Sequence, residues 1–145
     1  MQEIRFHLDP ADADLEPRRQ HPDDAGFDLR ARLPMTIAPG AFAAVPTGLR
    51  LELPEGWMAE VRPRSGLALR HGVTVLNAPG TIDAGYRGEV QAILINHGAA
   101  PFEIQRGDRI AQLLFVQLPQ TFLRPAESLS NTLRGEGGFG STGTH

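Results

Sequence analysis

WMAEVRPR, residues 57–64, decides the fold. Trp57, Ala59 and Val61 alternate with Met58, Glu60 and Arg62. Successive side chains of a strand point to opposite faces, so this period of two predicts a strand with one polar face. Working outward, EVQAILIN (89–96) and RIAQLLFVQL (109–118) are apolar at both alternating sets of positions, which predicts strands covered on both sides. IRFH (4–7), DLRARL (28–33), MTI (35–37) and FAAVPTGLRLELP (42–54) are strand-like, with a turn at Pro39–Gly40. Residues 9–24, rich in Asp, Pro and Arg, read as loop. SGLALRHG (65–72) is the one short helix, with Ser65 in the N-cap position and Gly72 at the stop. With 16 Gly and 12 Pro spread along 145 residues, the chain is punctuated at short intervals, as an all-β barrel or sandwich is.

The length suits one domain, and 41% apolar residues suffice for a core. A formal net charge of −3 offers no global basic field for nucleic acid or an anionic membrane. The chain lacks cysteine, so disulfides, thiolate nucleophiles and cysteine metal sites are excluded. MQEIRFHLDP at the start is not signal-like, and no run approaches the roughly 18 apolar residues of a membrane helix. A soluble, cytoplasmic protein is expected.

Several stretches can carry chemistry. In RPRSGLALRHG (62–72), Arg64, Ser65 and Gly66 stand just before the helix, where free backbone amides, a forked cation and a hydroxyl suit a phosphate. The plainer reading is a capped helix beside an exposed arginine. NAPGTIDAGYRGEV (77–90) reads as a tight hairpin with Asp83 near its turn. Asp83 either bonds neighbouring amides or takes a proton from a positioned water. Tyr86, the one tyrosine, is either packing or a flat surface for a ring or sugar. DDAGFDL (23–29) reads first as a solvated acidic loop entering a strand at Asp28, ahead of a metal site. In RGDRIAQLLF (106–115), RGD is a turn, and Gln112 shares a face with Ile110 and Leu114, where its amide needs a partner. The five histidines have no metal-ligand spacing and read as structural or surface residues. RGEGGFGSTG (134–143) sets Arg134, Phe139, Ser141 and Thr142 among glycines, either as a frayed tail or as a lid that orders over a ligand.

Taken in order, DAGFDLRA (24–31), RPRSGLAL (62–69), NAPGTIDAGYRGEV, RGDRIAQLLF and RGEGGFGSTG resemble the five motifs of the homotrimeric dUTP diphosphatases (dUTPases) across nearly the whole chain. The resemblance implies a jelly-roll-like β-barrel over residues 1–118 and a C-terminal arm and active-site lid over 119–145. It implies a homotrimer with shared sites, binding dUTP and neither nucleic acid nor membrane. The implied reaction is Mg²⁺-assisted hydrolysis of dUTP to dUMP and pyrophosphate, which supplies thymidylate synthesis and keeps uracil out of DNA.

The resemblance also assigns residues. Asp83 would activate the attacking water. Arg64, Ser65, Gly66 and Gln112 would hold phosphates. Asn77 and the hairpin from Thr81 to Tyr86 would form the uracil pocket, with the Tyr86 ring under the deoxyribose excluding UTP. Phe139 would stack on uracil, Arg134 would clamp the γ-phosphate, and Gly140, Ser141 and Thr142 would complete the lid. No direct protein ligand to the metal is implied; Asp28 would act on it through water. The rivals on the same fold are a dCTP deaminase, a bifunctional deaminase–diphosphatase and a non-catalytic nucleotide-binding protein. The complete fifth motif and the tight Asn77–Tyr86 segment favour the diphosphatase.

Overall fold

The computed structural model describes residues 2–138. In chain order, and among those residues, the elements are β1 (Arg5–His7), a 3-10 turn (Pro10–Leu15), β2 (Phe27–Arg30), β3 (Met35–Ile37), β4 (Phe42–Pro46), β5 (Arg50–Glu52), β6 (Trp57–Arg62), α1 (Ser65–His71), β7 (Val73–Val75), β8 (Gly80–Asp83), β9 (Gln91–Asn96), β10 (Phe102–Ile104) and β11 (Arg109–Gln117). All strand pairs are antiparallel. Two sheets dominate, β2-β11-β6-β8 and β4-β9-β7, with the pairs β1-β5 and β3-β10 completing the wall. The fold is all-β, as the punctuated strand pattern predicts.

Alternation along the strands builds the core. Ala59 and Val61 of β6, Leu113 of β11, Ala92 and Leu94 of β9 and Val45 of β4 point into one apolar cluster with Leu29, Leu49 and Ile104. At about 25 cal/mol per Å² of buried apolar surface, this shared interior is the main term holding the barrel closed. On β6 the other face is polar, as its period predicts, yet Glu60 is buried there, where Arg62 Nε donates to it at 2.7 Å.

Five sequence expectations are corrected. The segment 9–24 is not all loop: Pro10–Leu15 turns as a 3-10 helix and buries Asp12 and Leu15. Asp12 Oδ1 accepts from Arg106 at 3.0 Å, and Arg32 Nε stands 2.8 Å from Oδ2 at an angle that falls short of a hydrogen bond. Arg106 also donates to Asp14, so the arginine of RGD is tied to its own barrel. Second, Arg64 is the N-cap residue of α1 and Ser65 its first helical residue, without a side-chain capping bond. Gly72 does end the helix, at φ 66°, where its amide reaches Ala68 O and Leu67 O.

Third, β8 does not fold back on itself as a hairpin. It pairs with β6, Met58 opposite Asp83 and Val61 opposite Gly80, and the chain then crosses to β9 in the other sheet. Fourth, a bulge between Arg109 and Ala111 shifts the alternation of β11, so Ile110 enters the core and leaves Gln112 and Leu114 on the outer face. Fifth, among the described residues β9 is covered on one side only. Ile93 and Ile95 stand on the outer face in register with Ala44 and Phe42, and Phe42 is 63% exposed.

Candidate active site

Backbone register carries the first group of candidate residues. Asp28 of β2 and Arg62 of β6 both lie opposite Gln112 of β11. The Gln112 side chain runs across Gly26, where an added Cβ would come 2.5 Å from its Oε1. Its Nε2 donates to Pro63 O at 3.0 Å, beside Arg64, so the polar partner demanded by the sequence is a backbone carbonyl. Arg64 Nη1 donates to Arg109 O at 2.8 Å. Asp28 Oδ2 accepts from Gln20 at 2.7 Å and from Arg109 Nη1 at 3.3 Å, while Oδ1 faces Arg64 Nε at 3.8 Å.

This end of the sheet is crowded with cations. Partial burial, then the charge of Arg109, push the Arg64 guanidinium below its ordinary value; Asp28 opposes the shift, and Arg70 and Arg30 add to it. A guanidinium so placed remains charged and gains from an incoming anion. Arg70 also reaches back over Gly66, within 2.8 Å of where a Cβ would sit. Ser65 is exposed at the first turn of α1.

The second group lies at the far end of the same sheet. Asp83 and Thr81 are exposed at the edge strand β8 and line a 410 Å³ groove with Tyr86, Glu89, Gln91, Ala44 and Ile93. Tyr86 N closes a turn on Asp83 O at 3.1 Å, and the Tyr86 hydroxyl donates to Glu89 O at 3.1 Å. The phenol ring lies directly over Gly88, where any side chain would collide with it. Asn77, in the turn before β8, places its amide over Gly80.

Within one chain the two groups do not meet. Gln112 is opposite Arg62 and Asp83 is opposite Met58, at the two ends of β6. Four residue steps along β6 set their levels roughly 13 Å apart along the strand direction. The third group is on the tail. From 119 to 136 every residue is exposed, and Leu123 and Leu133 are as open as in an extended chain, at 101% and 111%. Arg134 Nε donates to Gly137 O at 2.8 Å. Phe139, Gly140, Ser141 and Thr142 lie outside the described residues.

Sequence reading missed Arg109, Gln20 and Glu89. Arg109 stood inside a motif already singled out, RGDRIAQLLF, whereas Gln20 reaches Asp28 from a segment read as loop, with no local signal. Glu89 lines the groove and accepts from Gly48 N at 2.7 Å, bracing the loop under Tyr86. Asp24 accepts from His21 N at 2.9 Å and closes a turn. Among the described residues no cluster of three His, Asp or Glu side chains could cage a metal.

Comparison with known proteins places the chain among relatives of known fold. The dUTPase family model matches residues 14–143. The deoxyuridine 5′-triphosphate nucleotidohydrolase of Gloeobacter violaceus is 55% identical over 129 residues, covering 88% of each chain. A mutant dUTPase of Staphylococcus bacteriophage 80alpha, solved with dUpNHpp, superposes with a TM-score of 0.89 at 26% identity, covering 99% of each chain. A mutant dUTPase of phage phi11 of S. aureus, described as revealing the coordination of a structural Mg(II) ion, shares the fold with a TM-score of 0.80 at 24% identity, covering 88% of this chain and 98% of its own. The chain belongs to the dUTPase family.

Proposed function

We propose that this chain hydrolyses dUTP to dUMP and pyrophosphate, in a homotrimer whose sites each draw on more than one subunit. The observation that carries the reading is the placing of Asp83 and Gln112 at opposite ends of one sheet. One subunit therefore presents two incomplete halves, and a second copy supplies the missing half of each. The outer face of β4-β9 offers the surface for that copy. Phe42, Ala44, Ile93 and Ile95 form a stripe on it, continued by Leu76 at 45% exposure, and the stripe runs into the groove of Asp83 and Tyr86. An apolar stripe of this kind, joined to a polar groove, suits a subunit interface with a site at its rim.

In the reaction, the Asp83 carboxylate takes a proton as water oxygen attacks the α-phosphorus. The bond from that phosphorus to the bridging oxygen breaks, and pyrophosphate leaves. Arg64, Ser65, Gly66 and Gln112 hold the phosphates, and the cation-rich surroundings of Arg64 support that role. Asn77, Thr81 and the backbone to Tyr86 receive uracil. Fixed backbone groups there would leave the cytosine amino group unmatched, and unpaired polar groups make such rejection steep. The Tyr86 ring, held between Glu89 O and Gly88, lies beneath the deoxyribose. Residues 119–145 serve as an arm and lid, with Arg134 on the γ-phosphate and Phe139, Gly140, Ser141 and Thr142 over the nucleotide.

Mg²⁺ is the cofactor. Its preference for water and phosphate oxygens, with few carboxylates, suits a site that receives a triphosphate. When bound it neutralises phosphate charge. The product serves thymidylate synthesis in the cytoplasm, and dUTP removal limits uracil in DNA. Among the described residues no helix is long and apolar enough to cross a membrane.

The test is pyrophosphate release by the purified protein with Mg²⁺, given dUTP, UTP, dCTP and dTTP separately. Release from dUTP alone is expected. A folded sample that leaves dUTP intact refutes the proposal.

A further inference from the structure

Asp28 sits where the reading above puts phosphate, and it is already engaged. Its side chain is 13% exposed, Arg64's 23% and Arg109's 37%, so all three are partly shielded from water. Oδ2 is occupied by Gln20 and Arg109, at 2.7 and 3.3 Å. Oδ1 faces Arg64 Nε at 3.8 Å, an ion pair too long to be a hydrogen bond. Arg64 is anchored elsewhere, through Nη1 to Arg109 O at 2.8 Å. A guanidinium has five N–H donors in a fixed fork, so the Nε and Nη2 side of Arg64 keeps donors for another acceptor. The nearest anion is thus loosely paired with a cation that is rigidly held.

The surrounding charge is unbalanced in the same direction. Arg30, Arg70 and Arg109 all act on Arg64 as cations, and among the described residues Asp28 is the one carboxylate acting on it. We propose that Asp28 is an internal substitute for substrate phosphate, holding Arg64 and Arg109 in place before substrate binds and giving up Arg64 when a phosphate oxygen arrives. This deepens the reading of the site as a dUTP pocket and rests on its assignment of Arg64 to phosphate. It makes Asp28 a positioning residue and a competitor of the ligand. Its carboxylate lowers affinity for any pyrophosphate-like anion while preventing mutual repulsion of the arginines. A role limited to orienting metal-bound water predicts something different: no effect of Asp28 on anion binding without metal.

The experiment uses the full chain and inorganic pyrophosphate, with chelator present and neither metal nor nucleotide. Pyrophosphate affinity is read by calorimetry, and Tm is followed with and without the anion. Asp28→Asn keeps the shape and removes the charge. It is expected to lower Tm without ligand, to bind pyrophosphate about tenfold more tightly than wild type, and to recover Tm as pyrophosphate is added. In an Arg64→Gln background the same substitution is expected to leave affinity nearly unchanged, which a merely structural role for Asp28 would not produce. Asp28→Ser, smaller and also neutral, is carried in parallel and should move affinity in the same direction. If the folded neutral variants bind pyrophosphate no more tightly than wild type, or fail to bind it, the proposal is overturned. Tighter pyrophosphate binding in a protein that leaves dUTP intact would uphold the anion competition and reject the dUTP reading instead.

Discussion

Gly26→Ala should disable Gln112 while leaving that residue unmutated. A Cβ at position 26 would stand 2.5 Å from Gln112 Oε1, 3.2 Å from Gln112 Cβ and 3.3 Å from Leu114 Cδ1. The last two contacts are tight but tolerable. The first is about 1 Å inside ordinary contact, so the glutamine must rotate away. Rotation breaks the 3.0 Å bond from Nε2 to Pro63 O and moves the amide off the side of the sheet that carries Arg64. Fold stability should fall by about 1–3 kcal/mol, the usual cost of overpacking. If Gln112 donates to a charged phosphate, losing that contact costs about 1.5–3 kcal/mol, or roughly 10- to 100-fold in kcat/KM for dUTP. Pyrophosphate release from dUTP gives the rate, and thermal unfolding separates it from misfolding. Gln112→Ala should produce a similar loss, and the double variant should lose little more, because both changes remove one interaction. A Gly26→Ala protein with wild-type kcat/KM, or losses that simply add, would refute the reasoning.

Asp83→Asn should keep dUTP binding and lower kcat by about 10²–10⁴-fold, the typical contribution of a general base; near-normal kcat would remove Asp83 from that role. Tyr86→Ala should relax discrimination between dUTP and UTP, measured as the ratio of their kcat/KM values. An unchanged ratio would show that the ring over Gly88 does not read the sugar. Ile93→Asp places a carboxylate on the outer apolar stripe beside Ala44, and sedimentation should show smaller species with lost activity. A full-size, active oligomer would move the subunit contact elsewhere. A chain ending at Leu133 should lose most activity while keeping its Tm, whereas full activity would leave residues 134–145 without a catalytic part.

The elements that the sequence revealed are those decided locally. The alternation of 57–62 and the left-handed Gly72 after α1 need only their neighbours. The burial of Asp12 was hidden because its partners come from far along the chain, Arg32 and Arg106, and an isolated PADADL reads as solvated. The partner of β8 was hidden for a related reason. Two turn signals around TID fit a hairpin, and only the closed barrel shows that β6 competes for the same edge. The bulge that sends Ile110 inward leaves the apolar pattern of 109–118 unchanged, so periodicity could not report it. Candidate residues were legible as motifs, but their division between two ends of a sheet depends on register. Arg109 and Gln20, which converge on Asp28, became visible only through contacts.

The placing of Asp83 and Gln112 at opposite ends of one sheet bears on how defects combine. On the proposed trimer and its residue roles, chains carrying Asp83→Asn alone and chains carrying Gln112→Ala alone would each be crippled in a uniform assembly, for different reasons. Co-expressed, they assemble at random, and in some mixed trimers the sound Asp83 of one chain meets the sound Gln112 of another. Two lesions in one gene would then complement each other when carried on separate copies, and fail to do so on the same copy. Inheritance of activity would follow the interface, so a cell with two differently damaged alleles would retain part of an enzyme that neither allele encodes alone.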